Sequence, residues 1–433
     1  MILDPGHFHA ALVLKEMVPE VHPRVFVYAP LGEGLLGQLQ HVVGFNTRTA
    51  NPTQWELDVR SGSQFLERFQ REQPGHLTVI AGRNRPKIDL ILAAVSNASP
   101  VLVDKPWIVR AEDFDKLLEV QRQCDLRDLL AYDMMTERHE VTHQLLRDLI
   151  KDQDIFGPLL AGTRDNPTLC LESTHYLKKE VAGVPLRRPT WWFDIDEAGP
   201  GLADVGTHLV DLSMWLLFPD QALDYRNATH VYDANIWPTP LSREQFSTLT
   251  GERDYPAHLK EKSVSGELLL YPGNGAMSYT LRDIHARVTV SWDYEAPQGK
   301  GDSTVIVAKG LRSHCAVRSV PNSQGEHQAE LFVSATVPGE HAALFAAIRR
   351  RCIIWQSKYS GISAIDMGHE IQITIPERYR LQHEQHFTAL FEQCLRFLRN
   401  PRWLPAWEWP NLLTRYAITT NAVRIAQRKQ ATG

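Results

Sequence analysis

Short apolar runs recur through the first third of the chain, and amphipathic stretches separate them. Residues 1–3 (MIL), 24–28 (RVFVY), 77–81 (LTVIA), 101–103 (VLV) and 129–132 (LLAY) read as strands. Runs without polar alternation are what a sheet covered on both faces requires. Between them the 3.6-residue period predicts helices over 10–18, 63–73, 85–97 and 111–124. Strands alternating with helices predict βαβ units in a doubly wound parallel sheet, with ligands held at the carboxyl ends of its strands. Farther along the pattern changes. Strand-like runs at 158–162, 264–271, 276–282, 287–292, 304–308 and 331–335 alternate in part, as a half-solvated antiparallel sheet does. Helical patterns at 381–398 and 411–429 close the chain. The fold class expected is therefore α/β, with an N-terminal domain over 1–132 and an α+β domain with a large, mostly antiparallel sheet over 133–433.

Composition narrows the function classes. A chain of 433 residues has room for two cores, and 46 basic against 51 acidic residues leave a net charge of −5. So mild an acidity gives no reason to expect nucleic acid or a membrane surface as partner. No apolar run is long enough to span a bilayer, and no basic-then-apolar leader opens the chain. The five cysteines are odd in number and never spaced C-x-x-C, which argues against a disulfide framework or a structural zinc site and for a reducing cytoplasm. With three residues before the first turn, either the first strand is unusually short or the natural chain begins upstream.

Candidate chemistry sits at the predicted strand ends and on one helix. The turn after the first strand holds Asp4, Gly6 and His9 at the spacing of G-x-G-x-x-G. Only Gly6 of those can let backbone amides approach a pyrophosphate. His7 and His9 could offer ring N–H groups in place of the missing glycines, with Phe8 between them, although simple packing serves equally well. The second strand ends Tyr28-Ala29-Pro30, without the carboxylate or arginine that separates NAD from NADP. In GPGLADVGTHLVDLSMW (199–215), Asp204, His208, Asp211 and Trp215 fall on one helical stripe. An aspartate one turn before a histidine is the layout of a general base with its helper.

Asn84 stands 21 positions before Lys105, which lies in D-K-P, with a helix and a strand between them. This pairing resembles the T-P-N and E-K-P turns of the Gfo/Idh/MocA oxidoreductases, the glucose–fructose oxidoreductase and inositol dehydrogenase family, with Asp104 in place of glutamate. IFGPL (155–159) resembles the strand that opens that family's second domain, and the 199–215 stretch resembles its G-G-G-x-L-x-D-x-G-x-H-x-x-D signature. LRRPTWWFDIDEAGPG and PAWEWPNLLTRYAITTNA resemble a subgroup with a distinctive C-terminal domain. The resemblance implies an N-terminal Rossmann-like domain, a catalytic set of Lys105, Asp204 and His208, a cis bond before Pro106, and NAD as cofactor, with NADP not excluded. Gly6, His7, Phe8, His9, Asn84 and Lys105 would then bind the cofactor. The substrate implied is a small carbohydrate or polyol, and relatives are commonly dimers or tetramers.

Around this set, Trp191 and Trp192 could floor a sugar ring, and His175 is a further candidate substrate contact. His383, Glu384 and His386 invite a metal reading, since histidines at i and i+3 share a helix face, but no third ligand at suggestive spacing completes the set, so no metal is expected. Two classes stay open: a nicotinamide-dependent oxidoreductase, which includes redox-neutral glycoside cleavage through transient oxidation, and a dinucleotide or sugar sensor without turnover.

Overall fold

Six parallel strands organise the first unit: β1 (Ile2–Leu3), β2 (Arg24–Ala29), β3 (Glu56–Ser61), β4 (Thr78–Ile80), β5 (Val101–Val103) and β6 (Ala131–Asp133). Their order is β3-β2-β1-β4-β5-β6. The computed structural model describes residues 1–181, 183–322 and 324–432. β1, β4 and β5 are buried at every position, which is why they appear in the sequence as unbroken apolar runs. The order reverses between β1 and β4, the switch point where ligands bind in open α/β sheets.

This unit is not one continuous stretch. It comprises Met1–Thr136, Arg188–Gly199 and Gln382–Tyr416, whereas the sequence pattern ends the first domain at 132. Buried polar contacts tie in the two later segments. Asn84 Nδ2 donates to the Ala198 carbonyl (2.7 Å), and the Asp133 carboxylate receives Arg415 at 2.7 Å and Tyr416 at 2.9 Å.

Two elements here have no counterpart in the sequence reading, the helix Glu33–Thr47 and the edge strand β3. The helix carries three glycines after its first residue, but Leu35, Gln38, Val42 and Phe45 still form a buried stripe. Conversely, the helix expected over 10–18 is only His9–Leu12. Trp55 Nε1 captures the Leu14 carbonyl (2.6 Å) and Arg48 Nη2 the Lys15 carbonyl (2.7 Å), so tertiary donors take acceptors a longer helix would use.

The second unit, Glu137–Arg187, Pro200–Leu381 and the residues from Ala417 onward, is built on a ten-stranded sheet. Its order is Thr229–Leu241, Leu268–Leu281, Ile284–Glu295, Leu169–Lys178, Ser303–Lys309, Ser313–Pro321, His327–Ala335, Ile371–Thr374, Ser363–Asp366, and Val264–Ser265 pairs with Leu268–Leu281. Pairing is antiparallel except between Ile284–Glu295 and Leu169–Lys178. Helices Val141–Lys151 and Val205–Leu217 pack on the sheet and on each other. The strand expected over 158–162 is reduced to isolated bridges at Leu159 and Gly162, because Gly157 and Gly162 adopt positive φ of 73° and 71°. No helix among the described residues is long and apolar enough to cross a membrane.

Candidate functional site

At the carboxyl edge of the parallel sheet, the turns after β1 and β4 and the first turn of the helix Glu33–Thr47 meet through glycine. A methyl group on Gly6, after β1, would lie 3.3 Å from Gly82 Cα, after β4. On Gly34, after β2, it would lie 2.9 Å from Gly6 Cα, and on Gly82 it would fall 2.5 Å from the Asp4 carbonyl oxygen. The close backbone approach joins three separate segments of the chain. Within the β1 turn, Gly6 N–H donates to the Asp4 carbonyl (2.8 Å) and His7 N–H to that of Ala81 (2.8 Å). Asp4 sits at φ 50°, and burial raises its carboxyl above the ordinary range despite the Arg83 and Lys87 cations.

His7 and His9 both turn onto Asp104. His9 Nδ1 is 2.8 Å from Oδ1 and His7 Nδ1 is 3.0 Å from Oδ2. The two imidazoles stand edge to face, 4.1 Å between centres, and the Phe8 ring lies 4.4 Å and 4.5 Å from them. Burial, only partly offset by Asp104, pushes His9 down to about 3. Burial alone would raise Asp104, but attraction to His9 and Lys87 and the His7 hydrogen bond outweigh it and hold the carboxyl well below its usual range. Each of the three residues offers one ligand atom within 4.8 Å of the others, a grouping of metal-ligand types that the sequence reading, with no metal, did not anticipate.

Lys105 is buried, and the Lys105–Pro106 peptide is cis, as the family resemblance implies. Asn84, besides holding Ala198, accepts from Lys87 Nζ (2.9 Å), a wholly buried lysine that also reaches the Lys105 carbonyl (3.4 Å). Trp192 is buried beneath the Arg188 guanidinium, 4.2 Å from its ring centre, whereas Trp191 is half-exposed. Behind the Lys105 turn, the Trp107 N–H donates to the Tyr416 hydroxyl (3.0 Å), which itself donates to Asp133. Lys87, Asp133, Arg415 and Tyr416 carry no local pattern that would single them out in the sequence. Their roles come from pairings across up to 309 positions.

The second unit carries Asp204, His208 and His175. Asp204 is the N-cap of helix Val205–Leu217, with His208 one turn on. Every residue of that helix is buried except His208 and Trp215, which share a face. Asp211, on the same predicted stripe, instead receives Arg138 in a bidentate pair (2.7 and 2.6 Å). Ser213 bonds Tyr279 (2.7 Å), and Thr207 bonds the Ala203 carbonyl (2.6 Å), so both helix and turn are pinned. A methyl on Gly201 would overlap the Gly273 carbonyl oxygen at 1.7 Å, which is why the turn ahead of the helix needs glycine. His175 meets Asp302 through Nδ1 (3.0 Å) and Ser173 through Nε2 (2.8 Å), and it stacks on Trp292 at 4.8 Å.

Residues 145–427 match the family model described as "Putative oxidoreductase C terminal domain". The chain belongs to this family. A crystal structure of a "putative oxidoreductase" from Parabacteroides merdae is 38% identical, with a TM-score of 0.94 over 99% of this chain and 97% of its own. More distant structures share the fold alone. A levoglucosan dehydrogenase in complex with NADH is 9% identical (TM-score 0.58, 99% and 96% covered). A "putative myo-inositol dehydrogenase" from Sinorhizobium meliloti is 12% identical (TM-score 0.55, 99% and 97% covered). Comparison with curated proteins finds no match.

Proposed function

We propose that the protein is an NAD(P)-dependent oxidoreductase that moves a hydride between nicotinamide and a secondary hydroxyl of a sugar, cyclitol or glycoside. The observation that carries this reading is the Asp204–His208 pair. A helix buried almost everywhere leaves one histidine half-open, with a carboxylate one turn before it. Membership of an oxidoreductase family, and a fold shared with a levoglucosan dehydrogenase bound to NADH, agree with it.

The cofactor fits the chain's own residues at the β1/β4 switch point. Gly6, Gly34 and Gly82 leave no side chain where the three segments approach one another. Gly6, His7, Phe8, His9, Asn84 and Lys105 are assigned to hold the dinucleotide, and a bound nicotinamide supplies the hydride acceptor or donor. His208 takes the proton of the substrate hydroxyl. Asp204 orients the imidazole and favours its charged form. Lys105 is assigned to hydrogen-bond the substrate oxygen and hold the alkoxide charge that develops as the proton leaves.

Denaturing the purified protein and weighing any released nucleotide tests the reading. Titration of the empty protein with NAD and NADP follows. NAD(H) or NADP(H) in either assay supports the proposal and names the cofactor. Binding of neither would end it. Binding without turnover on any polyol, and with affinity unchanged in His208→Ala, would make the protein a sensor instead.

A further inference from the structure

We infer that His7, His9 and Asp104 form a binding site for a divalent transition-metal cation. One ligand atom from each residue lies within 4.8 Å of the other two, and the two imidazole Nδ1 atoms stand 3.0 and 2.8 Å from the two carboxylate oxygens. Donors around a cation with bonds of about 2.1 Å are themselves separated by roughly 3–3.5 Å, close to the two histidine–carboxylate spacings here.

The chemistry of the set is specific. Two imidazole nitrogens and one carboxylate oxygen suit zinc, iron(II), cobalt or manganese, and they leave positions open for an oxygen of a bound ligand. The H-x-H pair comes from the turn after β1, and Asp104 comes directly after β5, so two strands of one sheet fix the donors. Side-chain exposure grades from 3% at Asp104 through 7% at His9 to 21% at His7, a shielded site with one accessible side. Phe8 and Phe387 wall it, the latter with its ring 4.5 Å from that of His9. His383 places a third imidazole 6.1 Å from His9, ring centre to ring centre, from the helix His383–Arg399. The histidine–glutamate–histidine run at 383–386 lacks a third ligand along the sequence, and the fold brings His383 beside two donors from the other end of the chain. The site stands on these donors whether or not a dinucleotide binds.

The experiment uses the full chain with any affinity tag removed, stripped with a chelator and then dialysed against zinc or cobalt. Metal content is read by mass spectrometry, and cobalt coordination by visible absorption. The expected result is about one ion per chain, a nitrogen-and-oxygen cobalt spectrum and a melting temperature that rises with added zinc. His7→Gln, at the most exposed donor, keeps the fold and loses the ion, and Asp104→Asn and His9→Gln do the same if they fold. His383→Gln weakens binding less. Wild-type protein that retains no more metal than His7→Gln, with no rise in melting temperature, would overturn the inference and leave the trio as a hydrogen-bonded bridge.

Discussion

The phenol of Tyr416 donates to Asp133 across 2.9 Å, although 283 positions separate them in the chain. The same hydroxyl accepts the Trp107 amide, two residues after Lys105, and Arg415 completes the pairing of a carboxylate that is almost wholly buried. Tyr416→Phe removes one bond to a buried charge and leaves a buried N–H without its acceptor, a loss of about 1–3 kcal/mol. Arg415→Met removes the cation that Arg415 brings to the buried Asp133 carboxylate, and a loss of about 3–5 kcal/mol is expected. Denaturant melts of the two variants check both the size and the order.

Alanine at Gly34 would press on Gly6 Cα at 2.9 Å, which is backbone and cannot swing aside, whereas Gly37 in the same helix faces open space. Gly34→Ala is expected to lower stability by about 1–3 kcal/mol and to weaken nucleotide binding. Gly37→Ala should raise stability by about 0.5–1 kcal/mol, because it removes only unfolded-state freedom. Thermal melts and nucleotide titration of the pair separate a packing effect from a helix-propensity effect.

His208→Gln keeps a half-exposed polar side chain on a helix whose other contacts are intact. If His208 is the base, kcat falls by about 10²–10⁴-fold, with the melting temperature and nucleotide affinity little changed. The acidic limb of the pH–rate profile should vanish with it. An unchanged kcat on a substrate turned over by the wild type would remove the residue from that role.

His139, next to the Arg138 that clamps Asp211, is pushed down to about 4 by burial and by the Arg138 and Lys358 cations. Its unfolded value is near 6.5, so between pH 6.5 and 4 the unfolded chain binds the extra proton. Stability from this group is therefore full above about pH 7 and declines as pH falls through that window. His139→Gln should flatten that part of the stability curve, measured by denaturant unfolding at stepped pH, and leave the plateau near pH 8 in place.

The parallel sheet was legible because its central strands are buried on both faces. Val101–Val103 could be read to the residue, and the helix Asn84–Ser96 within a residue at either end. Edge strand β3 (ELDVRS) has no fully buried position, and three glycines disguise the helix Glu33–Thr47, so neither showed. The helix beginning at His9 was overread because its apolar period continues after Trp55 and Arg48 have taken its carbonyls. Among site residues, Lys105, Asp204 and His208 stand in local motifs, and the helix capped by Asp204 is where the motif puts it. The Asp104 bridge to His7 and His9 spans 95 positions for its His9 arm, and no period or spacing along the chain encodes it.

Three segments that approach one another closely through Gly6, Gly34 and Gly82 make a constraint that belongs to no single one of them. Each segment is ordinary by itself, and what is selected is their mutual fit. Across related sequences these three positions should therefore covary as a set, with a side chain gained at one accompanied by a lengthened or re-routed loop at another. A search for contiguous glycine motifs will pass over every chain built this way.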